Sequence, residues 1–369
     1  MRLWVLSAST GGGHDMRAFA LQEWWHQMGG VCEVFHPLEN SFWGYKAGCQ
    51  LYNIIQKKLP LLHHTYFHFL EFASLHRHPS FIVGAKKFIR KFKAFSPDII
   101  VSTHAHLNHG FFQLTKNPNM QSSRFVVFCG ELADGQGFSR HWINPQNDLF
   151  VSPFEEGYLA AIKRGMPKEK ILVSGPLLRR PFYAKQTEFD RFKVMEEFGL
   201  DAKKPIFLLG TGANGVNHHL PVIEAILKQK IDCQILALCG KNQKTFNEIQ
   251  KLSMSVGEQV LPLSRLDGNA MVKLLKVSNW MLARPGAGLT TEAIVTGCPV
   301  IFDLSGGTMP QEKNNLNFWK KRTGNLLSCR SPSQLVKMIQ SKTEVPRLNI
   351  PLDSSPQLLL RALSQLIEK

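Results

Sequence analysis

Short apolar runs separated by helical patterns constrain this 369-residue chain more than any other feature. Leu3–Ser7, Val31–Phe35, Ile99–Ser102, Phe125–Phe128, Leu149–Ser152 and Ile171–Ser174 read as strands. After a break the pattern resumes with Ile206–Leu209, Gln234–Leu238, Gln259–Leu261, Trp280–Ala283 and Val300–Phe302. Helical segments such as Met16–Met28 and His219–Lys228 lie between many of them. Strands that alternate with helices build parallel sheets, and ligands bind such sheets at the carboxyl ends of the strands. The break falls at Gly175-Pro176 to Pro181 and is followed by a charged stretch, Lys185 to Lys204. The expected fold is α/β, with two Rossmann-like doubly wound domains facing across a cleft. They span 1–178 and 179–345, and a tail, 346–369, ends in a helix pattern that packs back on the body.

Each half opens with a strand running into a glycine loop. In the first half Leu3–Ser7 leads into Ser9-Thr10-Gly11-Gly12-Gly13-His14, with a helix from about Asp15. No Lys-Ser or Lys-Thr follows, so it is not a Walker loop, and Met16 stands where a dinucleotide fingerprint needs its third glycine. A histidine at a helix start, just after three glycines, faces any occupant of the cleft. With a reference pKa of about 6.5 it suits a general base near neutral pH. In the second half Ile206–Leu209 leads into Gly210-Thr211-Gly212-Ala213-Asn214-Gly215, which spells GxGxxG. The strand after it ends in Cys239-Gly240-Lys241 rather than in the acid that a ribose needs. The loop reads better as cleft lining than as a dinucleotide site.

A third glycine loop, Gly286-Ala287-Gly288, follows Trp280–Ala283. Its helix stops at Gly297, and the next apolar run begins at Pro299. The helix N-terminus aims unpaired N–H groups at whatever lies over the loop, and the glycines admit a ligand to the backbone. Thr290 and Thr291 add hydroxyls in the first turn, with Glu292 just behind. That set suits phosphates at the amides and a sugar diol at the carboxylate. No HExxH or DxD motif supports a metal, and His104, His106 and His109 lack the carboxylate or cysteine partners that would complete a site.

Composition narrows the setting. Apolar residues make 44% of the chain and charged residues 20%, as in ordinary globular proteins. The seven cysteines, Cys32, Cys49, Cys129, Cys233, Cys239, Cys298 and Cys329, are odd in number and lack CxxC spacing, so a reducing compartment is expected. Leu3–Leu6 is too short for a signal peptide and no run reaches a membrane span, which predicts a cytoplasmic, non-spanning protein. The formal net charge is +16, and it concentrates between Lys57 and Lys93 against one acid, Glu71. Aromatics interleave there, from Tyr52, Tyr66, Phe67 and Phe69 to Phe88, Phe92 and Phe95. Such a stretch suits an anionic membrane surface, with each cation worth on the order of 1 kcal/mol. No nucleic-acid motif accompanies it.

Several segments, taken together, carry a family resemblance. They are Gly11-Gly12-Gly13-His14, Leu51-Tyr52-Asn53-Ile54-Ile55-Gln56-Lys57 with Pro60, Val101-Ser102-Thr103-His104, and Gly165 through Arg180. Leu238-Cys239-Gly240-Lys241-Asn242, the 286 loop and Gln311-Glu312-Lys313-Asn314-Asn315 continue the series. In this order and spacing the chain resembles the monogalactosyl- and monoglucosyl-diacylglycerol synthases, relatives of the peptidoglycan N-acetylglucosaminyltransferase that works on a polyprenyl lipid. The resemblance implies a GT-B architecture and an inverting, metal-independent transfer of a hexose from a UDP-sugar to a lipid hydroxyl. Diacylglycerol is the expected acceptor and a polyprenyl-linked lipid the alternative.

What the resemblance implies can be placed on residues. His14 would deprotonate the acceptor. Gly212 and Arg284 would bind the nucleotide, the Gly286–Gly288 loop with Thr290 and Thr291 would hold its pyrophosphate, and Glu292 the ribose. Gln311 and Glu312 would bind the donor sugar, supported by Asn315. Tyr52, Lys57, Lys58 and Tyr66 would meet acceptor and membrane, at the inner face. The first domain would thus face acceptor and membrane and the second would bind the nucleotide sugar, with no cofactor and no metal beyond the UDP-sugar as co-substrate. The chain also departs from the family. Where the family has Thr-Asp, it reads Cys129-Gly130-Glu131-Leu132-Ala133-Asp134, with His141-Trp142 beyond. Glu131 takes the acidic role there, with Asp134 as the alternative. Met309-Pro310 replaces the family's Pro-Gly and leaves the sugar open. An NADP-dependent oxidoreductase using Gly210–Gly215 and Lys241, and a non-catalytic membrane-surface protein, are the readings from other classes.

Overall fold

The computed structural model describes the chain except residues 11, 59–64, 66, 70, 73–75, 119, 185–189, 212–217, 351–355 and 369. It divides into two compact units. Unit 1 comprises Met1–Arg180 with Met309–Asn314 and Leu352–Lys369, and unit 2 comprises Pro181–Thr308 with Asn315–Pro351.

Unit 1 is built on a six-stranded parallel sheet. Its strands are β1 (Arg2–Leu6), β2 (Val31–Phe35), β3 (Ile99–Ser102), β4 (Arg124–Phe128), β5 (Leu149–Ser152) and β6 (Ile171–Val173), in the order β2-β1-β3-β4-β5-β6. The order reverses between β1 and β3, and the chain leaves both strands at their carboxyl ends there. That is the topological switch point, where doubly wound sheets leave a crevice. The helix Gly13–Gln27 starts at this crevice from Gly12, whose φ of 78° lies in the left-handed region that glycine tolerates. Asp15 in its first turn accepts hydrogen bonds from Ser7 Oγ (2.7 Å) and Ser9 Oγ (2.9 Å), which ties the loop to the helix.

The helix Ala85–Phe95 divides the basic, aromatic stretch by face. Phe88, Phe92 and Phe95 recur at helical spacing and are buried against Trp4, at ring-centroid distances of 5.2, 5.9 and 6.4 Å. Each buried ring contributes on the order of 1.5–3 kcal/mol by area. These phenylalanines, and buried Phe67, are therefore core residues and not surface anchors. Lys86, Lys87, Arg90, Lys91 and Lys93 point outward, and Phe69, Phe72 and Phe81 are exposed.

Unit 2 repeats the plan. Its strands are β7 (Ile206–Leu209), β8 (Gln234–Gly240), β9 (Val260–Ser264), β10 (Trp280–Ala283), β11 (Val300–Asp303) and β12 (Ser328–Cys329). They are parallel, in the order β12-β11-β10-β7-β8-β9, so the switch point lies between β7 and β10. β9 carries Pro262, which an edge strand accommodates because one side of its ladder is unpaired. The two-residue β12 has no apolar run to announce it and exists through pairing with β11. The helix Ala287–Thr296 follows β10 and ends at Gly297, at φ 68°. Both units are thus Rossmann-like. Among the described residues no helix is long and apolar enough to cross a membrane.

Candidate active site

In unit 1 the crevice residues come from β1, β3 and β4. His14 Nδ1 lies 2.6 Å from the Thr103 carbonyl oxygen. A carbonyl only accepts, so Nδ1 carries the proton and Nε2 presents a lone pair. Burial first, and the Arg17 charge second, lower the His14 pKa to about 4, against the opposing pull of the Thr103 bond and Asp15. The imidazole is neutral at physiological pH, in the tautomer that a base acting through Nε2 requires.

Around His14 sits a compact charged group. Arg17, one turn later on the same helix and buried, donates to the carbonyls of Gly13 (3.2 Å) and Gly130 (2.8 Å). Burial raises the Glu131 carboxyl to about 7, opposed by the Arg17 charge and a hydrogen bond from the Trp142 indole. Trp142 also lies 6.0 Å from the His14 ring. Asp134 is committed elsewhere, to Arg164 (2.5 Å) and Lys163 (3.6 Å). Of the two acidic candidates, Glu131 shares the surroundings of His14. Arg17 and Trp142 were not among the sequence candidates; position i+3 from His14 on a helix was the available signal for Arg17.

The histidines after β3 form a row of rings. His104 lies 4.5 Å from His14 and 5.6 Å from His106, and His106 lies 4.8 Å from His141. Burial first, then mutual repulsion, holds His104 and His106 well below the ordinary histidine range. Among the described residues they do not converge as a metal-ligand set. Tyr52 is half-buried in the helix Trp43–Lys58, and the next residue, Asn53, donates to the Ser9 carbonyl (2.9 Å) in the glycine loop. Lys57 and Lys58 end that helix with side chains outside the described set, and Tyr66 lies outside it altogether. Gln311 and Glu312 belong to unit 1, where Glu312 Oε2 accepts from the Met309 amide (2.9 Å) and Gln311 Oε1 is buried without a hydrogen-bond partner.

In unit 2 the nucleotide candidates gather at the β10 end. Gly286 precedes the helix Ala287–Thr296 and its amide donates to the Arg284 carbonyl (2.7 Å), so the open donors are the first-turn amides from Ala287 onward, Gly288 among them. Thr290 Oγ1 is buried without a partner, whereas Thr291 Oγ1 turns back to the Ala287 carbonyl (2.5 Å). Glu292 is buried at 8% exposure. Asn315 Nδ2 donates to the Pro285 carbonyl (2.8 Å), fastening the loop, and Arg284 Nη2 donates to the Gly307 carbonyl (2.8 Å). Gly212 and most of the GxGxxG run lie outside the described residues.

The chain is similar to known proteins over most of its length. A profile of the monogalactosyldiacylglycerol (MGDG) synthase family matches residues 14–177, beginning at His14. Monogalactosyldiacylglycerol synthase 1 of Arabidopsis thaliana is 24% identical over 357 residues, covering 91% of this chain and 63% of the plant protein. The processive diacylglycerol beta-glucosyltransferase of Bacillus cytotoxicus is 22% identical over 360 residues, covering 93% of this chain and 86% of its own. The chain is thus similar in sequence to diacylglycerol glycosyltransferases over most of its length. It spans about two thirds or less of the plant members' length. Among solved structures, the UDP-GlcNAc 2-epimerase of Neisseria meningitidis aligns with a TM-score of 0.59 at 12% identity, covering 99% of this chain and 100% of its own. MurG of Acinetobacter baumannii aligns at 0.53 and 13%, covering 93% and 91%. At that identity they establish the fold alone, two Rossmann-like domains of the GT-B kind.

Proposed function

We propose that the chain is a hexosyltransferase that moves a sugar from a UDP-sugar to the hydroxyl of a membrane lipid, diacylglycerol first, with inversion and without a metal. The observation that carries the reading is the tautomer of His14, whose Nδ1–H is fixed on Thr103 and whose Nε2 is left to take a proton. The names of relatives that align with more than nine tenths of the chain support the same reading.

The reaction follows from the residues. The acceptor hydroxyl gives its proton to His14 Nε2 as its oxygen attacks the anomeric carbon from the face opposite the diphosphate. The glycosidic bond to the diphosphate breaks and charge accumulates on the leaving oxygens. First-turn helix amides from Ala287 onward, the Thr290 hydroxyl and Arg284 are the groups suited to that charge, because fixed donors need no reorganisation when it appears. Ionised Glu131 offsets the imidazolium that forms beside Arg17. Incubating the protein with a UDP-glucose, UDP-galactose and UDP-N-acetylglucosamine panel, diacylglycerol, ceramide and polyprenyl acceptors, and excess EDTA tests this by mass spectrometry. Glycosylated diacylglycerol formed in EDTA is expected; a panel with no glycolipid product overturns the reading, and a polyprenyl product redirects it.

The membrane contact has its own test. Lys86, Lys87 and Arg90 line one exposed face, near Phe81 at 68% exposure. Such a face would hold the protein at an anionic inner leaflet without crossing it. Lys86→Gln with Lys87→Gln is expected to weaken binding to phosphatidylglycerol vesicles about 30-fold, roughly 1 kcal/mol per cation. Unchanged flotation of the double variant would remove this face from the docking surface.

A further inference from the structure

At the switch point of unit 2, the first residue before the helix His219–Lys228 is His218, and it does not cap the helix. Its Nδ1 instead lies 3.1 Å from Ser305 Oγ and 3.8 Å from Asp303 Oδ2, at the end of β11. Asp303 is itself fixed, its Oδ1 accepting from the Ser305 amide (2.9 Å). With Nδ1 turned to these oxygens, Nε2 is the nitrogen available to a ligand. His218 and Asp303 form a wall shared by two adjoining pockets. One of them is also lined by Gly210 at the end of β7 and Arg284 at the end of β10.

The loop after β11 is shaped to keep two cationic side chains near one another. A Cβ at Gly306 would stand 3.0 Å from Arg284 Nη1, a tight approach, and 3.5 Å from His218 Cε1, an ordinary contact, so both side chains border this glycine. Arg284, a protonated His218 and the N-terminus of the helix His219–Lys228 each favour an anion at this pocket. We propose that His218, oriented by Asp303 and Ser305, is a second cationic contact for the donor diphosphate, and that it makes donor binding depend on pH. The inference rests on the UDP-sugar reading and assigns to it a residue outside the glycine loop.

The sign of the pH dependence comes from the groups facing the ring. Asp303 raises the His218 pKa through its hydrogen bond and charge, while burial and Arg284 lower it, and the net direction is upward. His219, the neighbour on the same helix, is held at about 4 by burial and donates no charge near neutrality. Cys329, on β12, is pushed by burial up to about 12 and stays a neutral thiol. His218 is thus the group in this pocket that changes charge near neutrality, cationic on the acid side. With it protonated, two cations face one carboxylate; with it neutral, the charges cancel.

Equilibrium binding of UDP-glucose and UDP-galactose, with uridine as the phosphate-free control, tests the proposal. Both phosphates of a nucleotide sugar are esterified, so neither titrates near neutrality and the protein alone sets the pH dependence. Between about pH 6 and pH 9 the wild-type dissociation constant for the preferred nucleotide sugar should rise on the order of tenfold, the worth of one hydrogen bond to a charged group. His218→Gln should bind at the weak limit across that range, with uridine affinity unchanged. Asp303→Asn should move the transition to lower pH. If His218→Gln binds the nucleotide sugar like wild type at the acid end, or loses uridine equally, the contact is refuted while the donor reading stands. If wild-type protein binds no UDP-sugar at any pH, both fall together.

Discussion

His14→Ala should lower turnover by about 10²- to 10⁴-fold, the contribution of a positioned general base, while the dissociation constant for UDP-sugar stays put. The expectation combines a fixed tautomer with an unusual charge balance. His14 Nδ1–H is held by the Thr103 carbonyl, so rotation of the ring to present the wrong nitrogen would break a 2.6 Å hydrogen bond. Burial and Arg17 lower its pKa to about 4, which makes the neutral base fully available above about pH 5 and leaves no histidine limb near neutrality. A base this weak needs help in the transition state, when a second positive charge forms beside Arg17. Glu131 supplies it when ionised. Because burial raises that carboxyl to about 7, activity should climb as pH rises through neutrality and then level off. Glu131→Gln should abolish this limb and retain the His14 requirement. Rate–pH profiles of the three proteins, with nucleotide binding measured separately, distinguish the roles. A His14→Ala protein that keeps full turnover, or that loses nucleotide affinity in proportion, ends the base assignment.

How far this site could be read from residues alone depends on how local its causes are. β1 to β8, β10 and β11 were legible because each is a short apolar run bounded by polar or glycine residues. The glycine loops at Gly12-Gly13 and Gly286–Gly288 were legible because glycines directly after a short apolar run mark a strand-to-helix junction. β12 was not, since two residues carry no periodicity and only pairing with β11 makes them a strand. The i, i+4, i+7 spacing of Phe88, Phe92 and Phe95 contained the core assignment, yet composition pointed to a surface. Trp4, eighty and more positions earlier, decides which face they use. The choice between Glu131 and Asp134 depended on Arg164, which takes Asp134 out of play from 30 residues downstream. Arg17 was illegible for the same reason: its partner carbonyl, on Gly130, is 113 residues away. Local chemistry identified the loops, and long-range pairing selected the charges around them.

Arg17 is where those charges bear on stability as well as on catalysis. Arg17 is 6% exposed, and beyond its two carbonyl bonds it offers the only charge that opposes the burial of Glu131 among the causes acting on that carboxyl. Removing Arg17 takes a donor from the Gly13 and Gly130 carbonyls, about 1–3 kcal/mol for a buried acceptor left unpaired, and removes the charge that favours ionised Glu131. Arg17→Met should therefore lose at least that much stability in urea denaturation above about pH 8, but the loss should shrink in acid. The folded carboxyl of Glu131 titrates at about 7 against an ordinary value of 4.5, so between those limits the folded state holds a proton that the unfolded chain has released. Stability accordingly falls as pH rises across that window. Without Arg17 the folded pKa climbs further, and the fall continues to higher pH. Near the acid limit Glu131 is neutral with or without Arg17, and only the two unsatisfied carbonyls separate the proteins. Arg17→Met with Glu131→Gln should recover the pH-dependent part and leave the remainder. A loss equal at both ends of the pH range would mean that Glu131 carries no native charge for Arg17 to balance. In that case the carboxyl could not compensate the imidazolium of His14 either.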